Sequence, residues 1–359
     1  MKKIIKKIFS LIIILSLLLG GYTIFKKYNL KAGLEALKAK GFLITDYSKL
    51  KGSKLTGDNY NFDSTYNPYY GMLNDSGKKL YKQTYANIIN RKKVFIPRVN
   101  MKVNDVNNVI EAVMNDNPEL FWVKNSYSYK YTPDRVCRQV ILSYNNLANN
   151  YEYNKNTFDS KVNYIVNNAS RYNTIYEKEL YVHDYLIKTI AYDKNSSYNQ
   201  TAYSALVNGK TVCAGYAKAF QYIMSKLGIP TYYVTGRSQG EEHAWNIIRL
   251  DGYYNVDVTW DDTSGGNYRY FNKTDNEFSS THNRSDLSRY LPSCNAKTYS
   301  YTNMNKLNDK KNKLPTNNQP TTSSKSTVIE ESENKNEEKE IIEETEEDNN
   351  DIDYSTKRQ

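Results

Sequence analysis

The segment KTVCAGYAKAFQYIMSKLGIPTYYVTG, residues 210–236, decides how the chain folds. Apolar side chains recur in it at helical spacing, at Ala217, Phe220, Met224 and Leu227. Gly228 and Pro230 follow directly, which is typical of the end of a helix. The run TYYVTG then favours a strand. The sequence therefore predicts a helix followed by a strand, with Cys213 in the first turn of the helix.

The position of Cys213 has a chemical consequence. The first turn of a helix has unpaired N–H groups and the positive end of the helix dipole, and both favour a thiolate over a thiol. A buried structural cysteine is an equally good interpretation of this helix taken alone. A nucleophilic cysteine needs a base, so the histidines of the chain decide between a nucleophilic and a structural role for Cys213.

His243 opens the stretch HAWNIIRLDGYYNVDVTWDD, in which two strand-like runs flank residues 250–252. A two-residue loop would place His243 and Asp257 on opposite faces of the hairpin. A three-residue loop makes them diagonal neighbours on one face, with Cα atoms ~7–8 Å apart. The three-residue loop also ends in a glycine, Gly252, where such loops prefer the left-handed conformation. We therefore predict the three-residue loop.

In that register the chain contains a nucleophile, a base and a carboxylate. Cys213, His243 and Asp257 are predicted to be the catalytic residues, with Asp257 orienting the imidazole of His243. Asp261 and Asp262 are weaker alternatives to Asp257, because Asp261 lies beyond the paired region and Asp262 points to the other face.

The remaining histidines and cysteines are assigned no chemistry. His183 lies on an amphipathic helix, where packing is expected, and His282 lies in a polar loop. Cys137 and Cys294 are expected to be buried thiols, and with three cysteines in the chain at least one has no partner for an intrachain disulfide. No cysteine or histidine pair has the spacing of a zinc site. We predict neither a metal nor a cofactor.

These motifs resemble those of the transglutaminase-like superfamily, a papain-like cysteine fold. The resemblance lies in residues 211–236 and 243–262, with Cys213, His243 and Asp257 at the positions of the family's triad. Three further stretches also fit bacterial members, namely VHDYLIKTIAYD, AYSALVNGK and YFNKTD. The stretch DNPELFWV resembles a segment that precedes this core in surface proteins of Gram-positive bacteria. The resemblance covers roughly residues 70–302.

The resemblance implies acyl transfer at amide bonds of a protein or peptide, through a thioester on Cys213. The family includes peptidases, amidases, protein cross-linkers and inactive members. Animal transglutaminases place a tryptophan well before the cysteine, and here the nearest aromatic residue is Tyr203. A peptidase or amidase is therefore favoured. A protein-glutamine transglutaminase, or a non-catalytic surface-binding protein that keeps the fold, is the alternative.

The charge of the chain is unevenly distributed. The formal net charge is +10, but residues 330–353 contain thirteen acidic residues and two lysines, so the rest carries +21. A basic body favours anionic surroundings such as cell-wall polymers or lipid headgroups. No nucleic-acid-binding signature is present in the sequence, so we expect no nucleic-acid partner. The expected partners are protein or peptide substrates, including cell-wall-associated ones.

The N-terminus predicts a membrane anchor. Residues 8–25 are eighteen residues without a charge, preceded by four lysines and followed by two. As a helix they span about 27 Å, close to one bilayer core. The more basic flank is expected to remain in the cytosol, which places the body outside the cell. A cleaved signal peptide is the alternative, and the lack of a small-x-small cleavage site argues against it.

The predicted fold class is α+β, with a nucleophile helix packed on an antiparallel sheet in a papain/transglutaminase-like core. The expected order is a cytoplasmic basic stub (1–7), a transmembrane anchor (8–25), a spacer (26–64), a small α+β domain (65–150), the catalytic domain (151–302) and a disordered tail (303–359), acidic from 330. The expected location is the cell membrane, single-pass, with the catalytic domain extracellular.

Overall fold

The computed structural model describes residues 32–33 and 35–313. Between residues 68 and 169 it contains four α-helices and three strands. These are α1 (Pro68–Met72), α2 (Asp75–Ile89), β1 (Val94–Phe95), α3 (Val103–Asp116), β2 (Val123–Tyr131), β3 (Cys137–Tyr144) and α4 (Tyr151–Ala169). The strands form an antiparallel sheet in the order β1-β3-β2. The predicted hairpin is β2 and β3.

The second half contains the segments that the sequence singled out. Its elements are α5 (Ile175–Thr189), β4 (Ala191–Tyr192), α6 (Ala202–Leu206), β5 (Lys210–Thr211), α7 (Cys213–Lys226), β6 (Thr231–Ser238), β7 (Glu241–Arg249), β8 (Tyr253–Val256), α8 (Val258–Thr263), α9 (Asp275–Phe278), β9 (His282–Arg284) and α10 (Tyr301–Lys313). The helix α7 begins at Cys213, as predicted, and Gly228 just beyond its end has a φ of 76°.

The central sheet is antiparallel, with strand order β8-β7-β6-β9. Helix α7 packs on β6 and β7, and α5 packs on α7. The side chains between these layers are almost entirely buried, among them Phe220, Ile223, Val234 and Ile247. A helix that begins with a cysteine therefore lies against an antiparallel sheet, which is the arrangement that the sequence predicted.

The predicted hairpin register is confirmed, but the expected role of Gly252 is wrong. Asn246 pairs with Val256 and Arg249 with Tyr253, which leaves a three-residue loop. Gly252 is absent from the residues with positive φ. A Cβ at this position would instead lie 2.7 Å from the Cβ of Ala296, so the glycine is needed for close packing.

Residues from both predicted domains share one hydrophobic core. The side chain of Tyr69 is fully buried, and its hydroxyl donates to the carbonyl of Tyr233 in β6 at 2.6 Å. Gln221 of α7 donates to the carbonyl of Asn115 in α3. The first half of the chain therefore packs directly on the helix and the sheet that position the site.

Both ends of the predicted organisation fall largely outside the described residues. The anchor at residues 8–25 and the tail from residue 314 lie outside them. Residues 303–313, which were expected to be disordered, belong to α10, and Tyr301 at its start stacks on Tyr268 at 3.9 Å between ring centroids. Among the helices that the structure describes, none is both long and apolar enough to cross a membrane.

Candidate active site

Cys213, His243 and Asp257 come together at one end of α7. Cys213 is the first residue of the helix, so its backbone N–H has no acceptor within the helix, whereas that of Gly215 donates to the carbonyl of Val212. The Cys213 side chain is partly buried against Tyr233 and Ala244 of the sheet. Cys213 and His243 line the same cleft. The structure thus brings together all three predicted residues.

Asp257 lies just beyond β8, where it caps α8. Its Oδ1 accepts from the backbone N–H of Trp260 at 3.1 Å, and its backbone N–H donates to the carbonyl of Tyr270. Its Oδ2 accepts from Nε2 of His243 at 2.7 Å. The sequence expected the strand pairing to continue through Asp257, but β8 ends at Val256. The cap holds the carboxylate through Oδ1, while Oδ2 faces His243.

The pKa values of His243 and Asp257 are shifted by the opposite charges of their neighbours. Burial lowers the pKa of His243, but the Asp257 carboxylate and the Cys213 thiolate outweigh that effect and raise it to about 10. Burial raises the pKa of Asp257, yet His243 and His282 hold it at about 2. Since Nε2 of His243 is bonded to Asp257, Nδ1 is the ring nitrogen that remains for Cys213. The arrangement favours a thiolate beside an imidazolium.

The structure adds His282, to which the sequence analysis gave no role. It is the first residue of β9, its side chain is 1% exposed, and its Nε2 lies 3.0 Å from Oδ2 of Asp257. Gly236 allows β9 to approach, because a Cβ there would lie 2.3 Å from the carbonyl oxygen of Asn283. An ionised carboxylate only accepts hydrogen bonds, so both histidines donate to Asp257. The polar sequence around His282 gives no sign of this pairing.

Aromatic rings enclose the histidine pair. The ring of Phe278 stacks on His282 at 4.3 Å between centroids, and Trp260 lies 4.8 Å from His282 and 5.7 Å from His243. These rings exclude water from the Asp257 side of the site. Low local polarity strengthens the hydrogen bonds to the carboxylate.

Asp257 and its two histidine partners are also close enough together to ligate a metal ion. Their ligand atoms in His243, Asp257 and His282 lie within 4.8 Å of one another. The sequence predicted no metal site because no histidine or cysteine pair had ligand spacing. In the structure the three groups are joined by hydrogen bonds at 2.7 and 3.0 Å.

His183 is buried, as its amphipathic helix indicated, but it is also hydrogen-bonded on both ring nitrogens. Its Nε2 lies 3.0 Å from Oδ2 of Asp261, and its Nδ1 lies 3.2 Å from Asp184. Burial lowers the pKa of His183, and the two carboxylates together raise it. Asp261 thus binds α5 to α8 and is not a partner of His243. Asp262 bonds to the hydroxyl of Tyr216.

The remaining cysteines lie away from the cleft. Cys137 and Cys294 are both buried and free, as expected. Burial raises the pKa of Cys137 to about 12 and that of Cys294 above its ordinary range. The Arg284 guanidinium donates to Sγ of Cys294 at 3.4 Å, but burial and the nearby Asp275 outweigh its effect on the pKa of that thiol.

The cleft around Cys213 has a volume of about 340 Å³ and is lined by polar side chains. Tyr192 lies on one side, and burial together with the Cys213 thiolate raises its pKa. Lys194 and Glu241 approach to 3.9 Å at the rim. Ser238 also lines the cleft, and its hydroxyl is buried and has no hydrogen-bond partner among the described residues.

Tyr203, the aromatic residue considered before Cys213, lies elsewhere. Its hydroxyl donates to Asn154 at 3.2 Å, and its ring packs on Phe121 and Phe158 in the core. Tyr192 is the aromatic residue preceding Cys213 that reaches the cleft. Nearness to Cys213 in the sequence therefore does not identify the tyrosine that reaches the cleft.

The part of the chain that contains this site is similar to a known protein family. Residues 162–258 match the family model described as the transglutaminase-like superfamily. The matched residues include Cys213, His243 and Asp257, and they are fewer than the roughly 70–302 that the sequence suggested. The predicted family resemblance is confirmed. No curated protein matches the chain.

Several solved structures are similar to parts of the chain. A putative cysteine protease from Cytophaga hutchinsonii is 22% identical over 28% of this chain and 37% of that protein, with a TM-score of 0.26. A TGase is 16% identical, over 46% and 50%, with a TM-score of 0.26. The periplasmic domain of TgpA from Pseudomonas aeruginosa is 12% identical, over 40% and 65%, also with a TM-score of 0.26. The matches therefore span less than two thirds of the length of each of these proteins.

Proposed function

We propose that this protein, whose residues 162–258 match the model of the transglutaminase-like superfamily, is a cysteine acyl-transfer enzyme acting on amide bonds of proteins or peptides. The observation that supports this most is the position of His243. Its Nε2 is bonded to Asp257, and its ring interacts with Cys213 in the same cleft. A binding protein has no need of a nucleophile, a base and an orienting carboxylate in this order.

The geometry supports a two-step mechanism. The Cys213 thiolate attacks the amide carbonyl carbon, and the carbonyl π electrons move to oxygen. The backbone N–H of Cys213, at the start of α7, is positioned to donate to that oxyanion. His243 gives its proton to the leaving amine as the carbon–nitrogen bond breaks, which leaves a thioester on Cys213. Asp257 keeps the imidazole oriented throughout.

The fate of the thioester separates the possible reactions. Water, deprotonated by His243, releases an acid, and this makes the protein a peptidase or amidase. A lysine amine in place of water makes it a transglutaminase. We favour hydrolysis, because no tryptophan that precedes Cys213 reaches the cleft among the described residues. Trp122 is buried in the core, where its Nε1 donates to the carbonyl of Ile88, and the aromatic residue before Cys213 that lines the cleft is Tyr192. A non-catalytic surface-binding protein that keeps the fold remains the alternative.

A product analysis tests this proposal. A library of glutamine-containing peptides is incubated with the purified protein, with and without a primary amine, and the masses are recorded. We expect new amide cleavage or deamidation, and no amine incorporation. Cys213→Ala is the matched control and should be silent. If the wild-type protein is also silent, or if only amine adducts form, hydrolysis is wrong.

We also propose that the catalytic part faces the outside of the cell, on an anchor formed by residues 8–25. The length of the uncharged run and its lysine flanks support this arrangement. Protease added to intact cells should remove the chain beyond about residue 25. A body protected from protease, or a mature N-terminus near Tyr22, would contradict the anchor.

A further inference from the structure

The ammonium group of Lys218 is buried without an ionic partner. Lys218 lies on α7, five residues after Cys213, and is 7% exposed. Its Nζ lies 5.3 Å from the centroid of the Tyr233 ring, and no hydrogen bond or carboxylate reaches it from the described residues. Burial alone lowers its pKa to about 8. A buried charge without compensation is unfavourable, so this position calls for an explanation.

Lys218 lines a cavity of about 310 Å³ between the two halves of the chain. The opposite wall comes from the DNPELFWV segment, which the proposed mechanism does not use. The apolar part of the lining is formed by Met114, Leu120, Phe121 and Val123. Its volume is at the lower end of the range of small-molecule sites.

The polar lining of this cavity matches an anion. Amide side chains of Asn125, Asn199 and Gln200 contribute to it, and Lys124 adds a second positive charge. None of the lining residues is acidic. The cavity therefore presents cations and amide groups beside an apolar wall, without a carboxylate to neutralise them.

This cavity is separate from the cleft of Cys213, because the two share no lining residue. They are nonetheless connected through α7. Five residues of helix separate Lys218 from Cys213, a rise of about 7.5 Å along the axis. Tyr233 contacts both, since its ring lies beneath the Lys218 ammonium and packs beside Cys213.

We propose that this cavity binds a carboxylate attached to a short apolar chain, with the carboxylate against Lys218 and the chain against Leu120 and Phe121. A carboxylate supplies the counter-charge that Lys218 lacks. The apolar wall accounts for the chain, because burial of its methylene groups is favourable. The carboxylate belongs either to a free short-chain acid or to the C-terminus of a peptide, and this site is independent of the proposed acyl transfer.

Calorimetric titration of the full-length Cys213→Ala protein tests the proposal. The probes are hexanoate, its uncharged counterpart 1-hexanol, and the dipeptide acetyl-Leu-Leu as free acid and as amide. We expect hexanoate or the free acid of acetyl-Leu-Leu to bind saturably. The acid should bind at least about tenfold more tightly than its neutral counterpart, because its contact with Lys218 is charge-assisted. The charged probe that binds more tightly identifies the source. If neither acid binds, or the neutral probes bind equally well, the proposal is overturned.

Lys218→Met is the decisive variant, because it keeps the length of the side chain and removes its charge. It should weaken binding of the carboxylate at least about tenfold, whereas Lys124→Met at the rim should have a smaller effect. Near pH 8 the wild type should also take up protons on binding, measured by titration in buffers of different ionisation enthalpy, because the carboxylate favours the charged amine. Proton uptake that persists in Lys218→Met would contradict the assignment.

The folding of Lys218→Met is checked separately. A lysine whose pKa falls on folding destabilises the folded state below that pKa, and the penalty vanishes above the pKa of the unfolded chain. The variant should therefore melt at a higher temperature than the wild type at pH 7, and the gain should shrink towards pH 10. A variant that melts lower at pH 7 would show that the ammonium already has a partner, and this would also overturn the proposal.

Discussion

Asp257→Asn should lower turnover by roughly 10²–10⁴-fold while leaving the fold and the affinity for substrate intact. The carboxylate Oδ2 accepts from both His243 and His282, and an amide nitrogen at that position would face two donors. His243 would then change its tautomer or rotate away from Cys213. The amide oxygen can still accept from the backbone N–H of Trp260, so the cap of α8 survives.

The measurement is kcat and KM for whichever peptide the wild-type protein processes. Asp184→Asn is a suitable control, since Asp184 bonds to His183 and Tyr268 and does not reach the cleft. The control should keep most of its turnover. An Asp257→Asn protein with an unchanged kcat would mean that another group orients His243.

The elements that the sequence predicted best are those with a local cause. The start of α7 at Cys213 follows from apolar spacing and from the Gly228–Pro230 stop. The β7–β8 register follows from the loop length, although Gly252 is needed for packing and not for its conformation. Because that register places His243 close to Asp257, counting the residue pairs across the three-residue loop was enough to predict their contact.

The parts that the sequence did not predict depend on contacts between distant segments. His282 reaches Asp257 because β9 joins the edge of the sheet at β6, and nothing near His282 in the sequence indicates that pairing. Similarly, Lys218 follows Cys213 on an ordinary-looking helix. Its burial depends on the fold, in which residues of the DNPELFWV segment line the same cavity as Lys218. Local periodicity does not report which segments pack together.

Cys213 should be alkylated by iodoacetamide at pH 6 at least about 100-fold faster than Cys137 and Cys294, because thiolates react and buried thiols do not. Burial raises the pKa of both Cys137 and Cys294 above the ordinary range of a thiol. Cys213 is partly exposed and lies beside His243. The rates are measured by peptide mapping after a brief pulse of reagent on the native protein.

The pH dependence provides a second readout of the same pair. Asp257 and Cys213 raise the pKa of His243 to about 10 against the effect of burial. The imidazolium therefore persists up to that pH, and between about pH 6 and 9 labelling of Cys213 should depend less steeply on pH than labelling of a thiol without such a partner. A free cysteine, with a pKa near 8.5, would instead react about tenfold more slowly for each pH unit below that value. His243→Ala should restore that steep dependence and narrow the gap between the cysteines.

Labelling in denaturant is the control, since the three thiols should then react at similar rates. Equal reactivity of Cys213 and Cys294 in the native protein at pH 6 would show that Cys213 is not an activated nucleophile. The binding-protein alternative would then be the better account of the fold. A fast Cys213 that is unaffected by His243→Ala would assign the activation to the start of α7 alone, because the helix N-terminus also stabilises a thiolate.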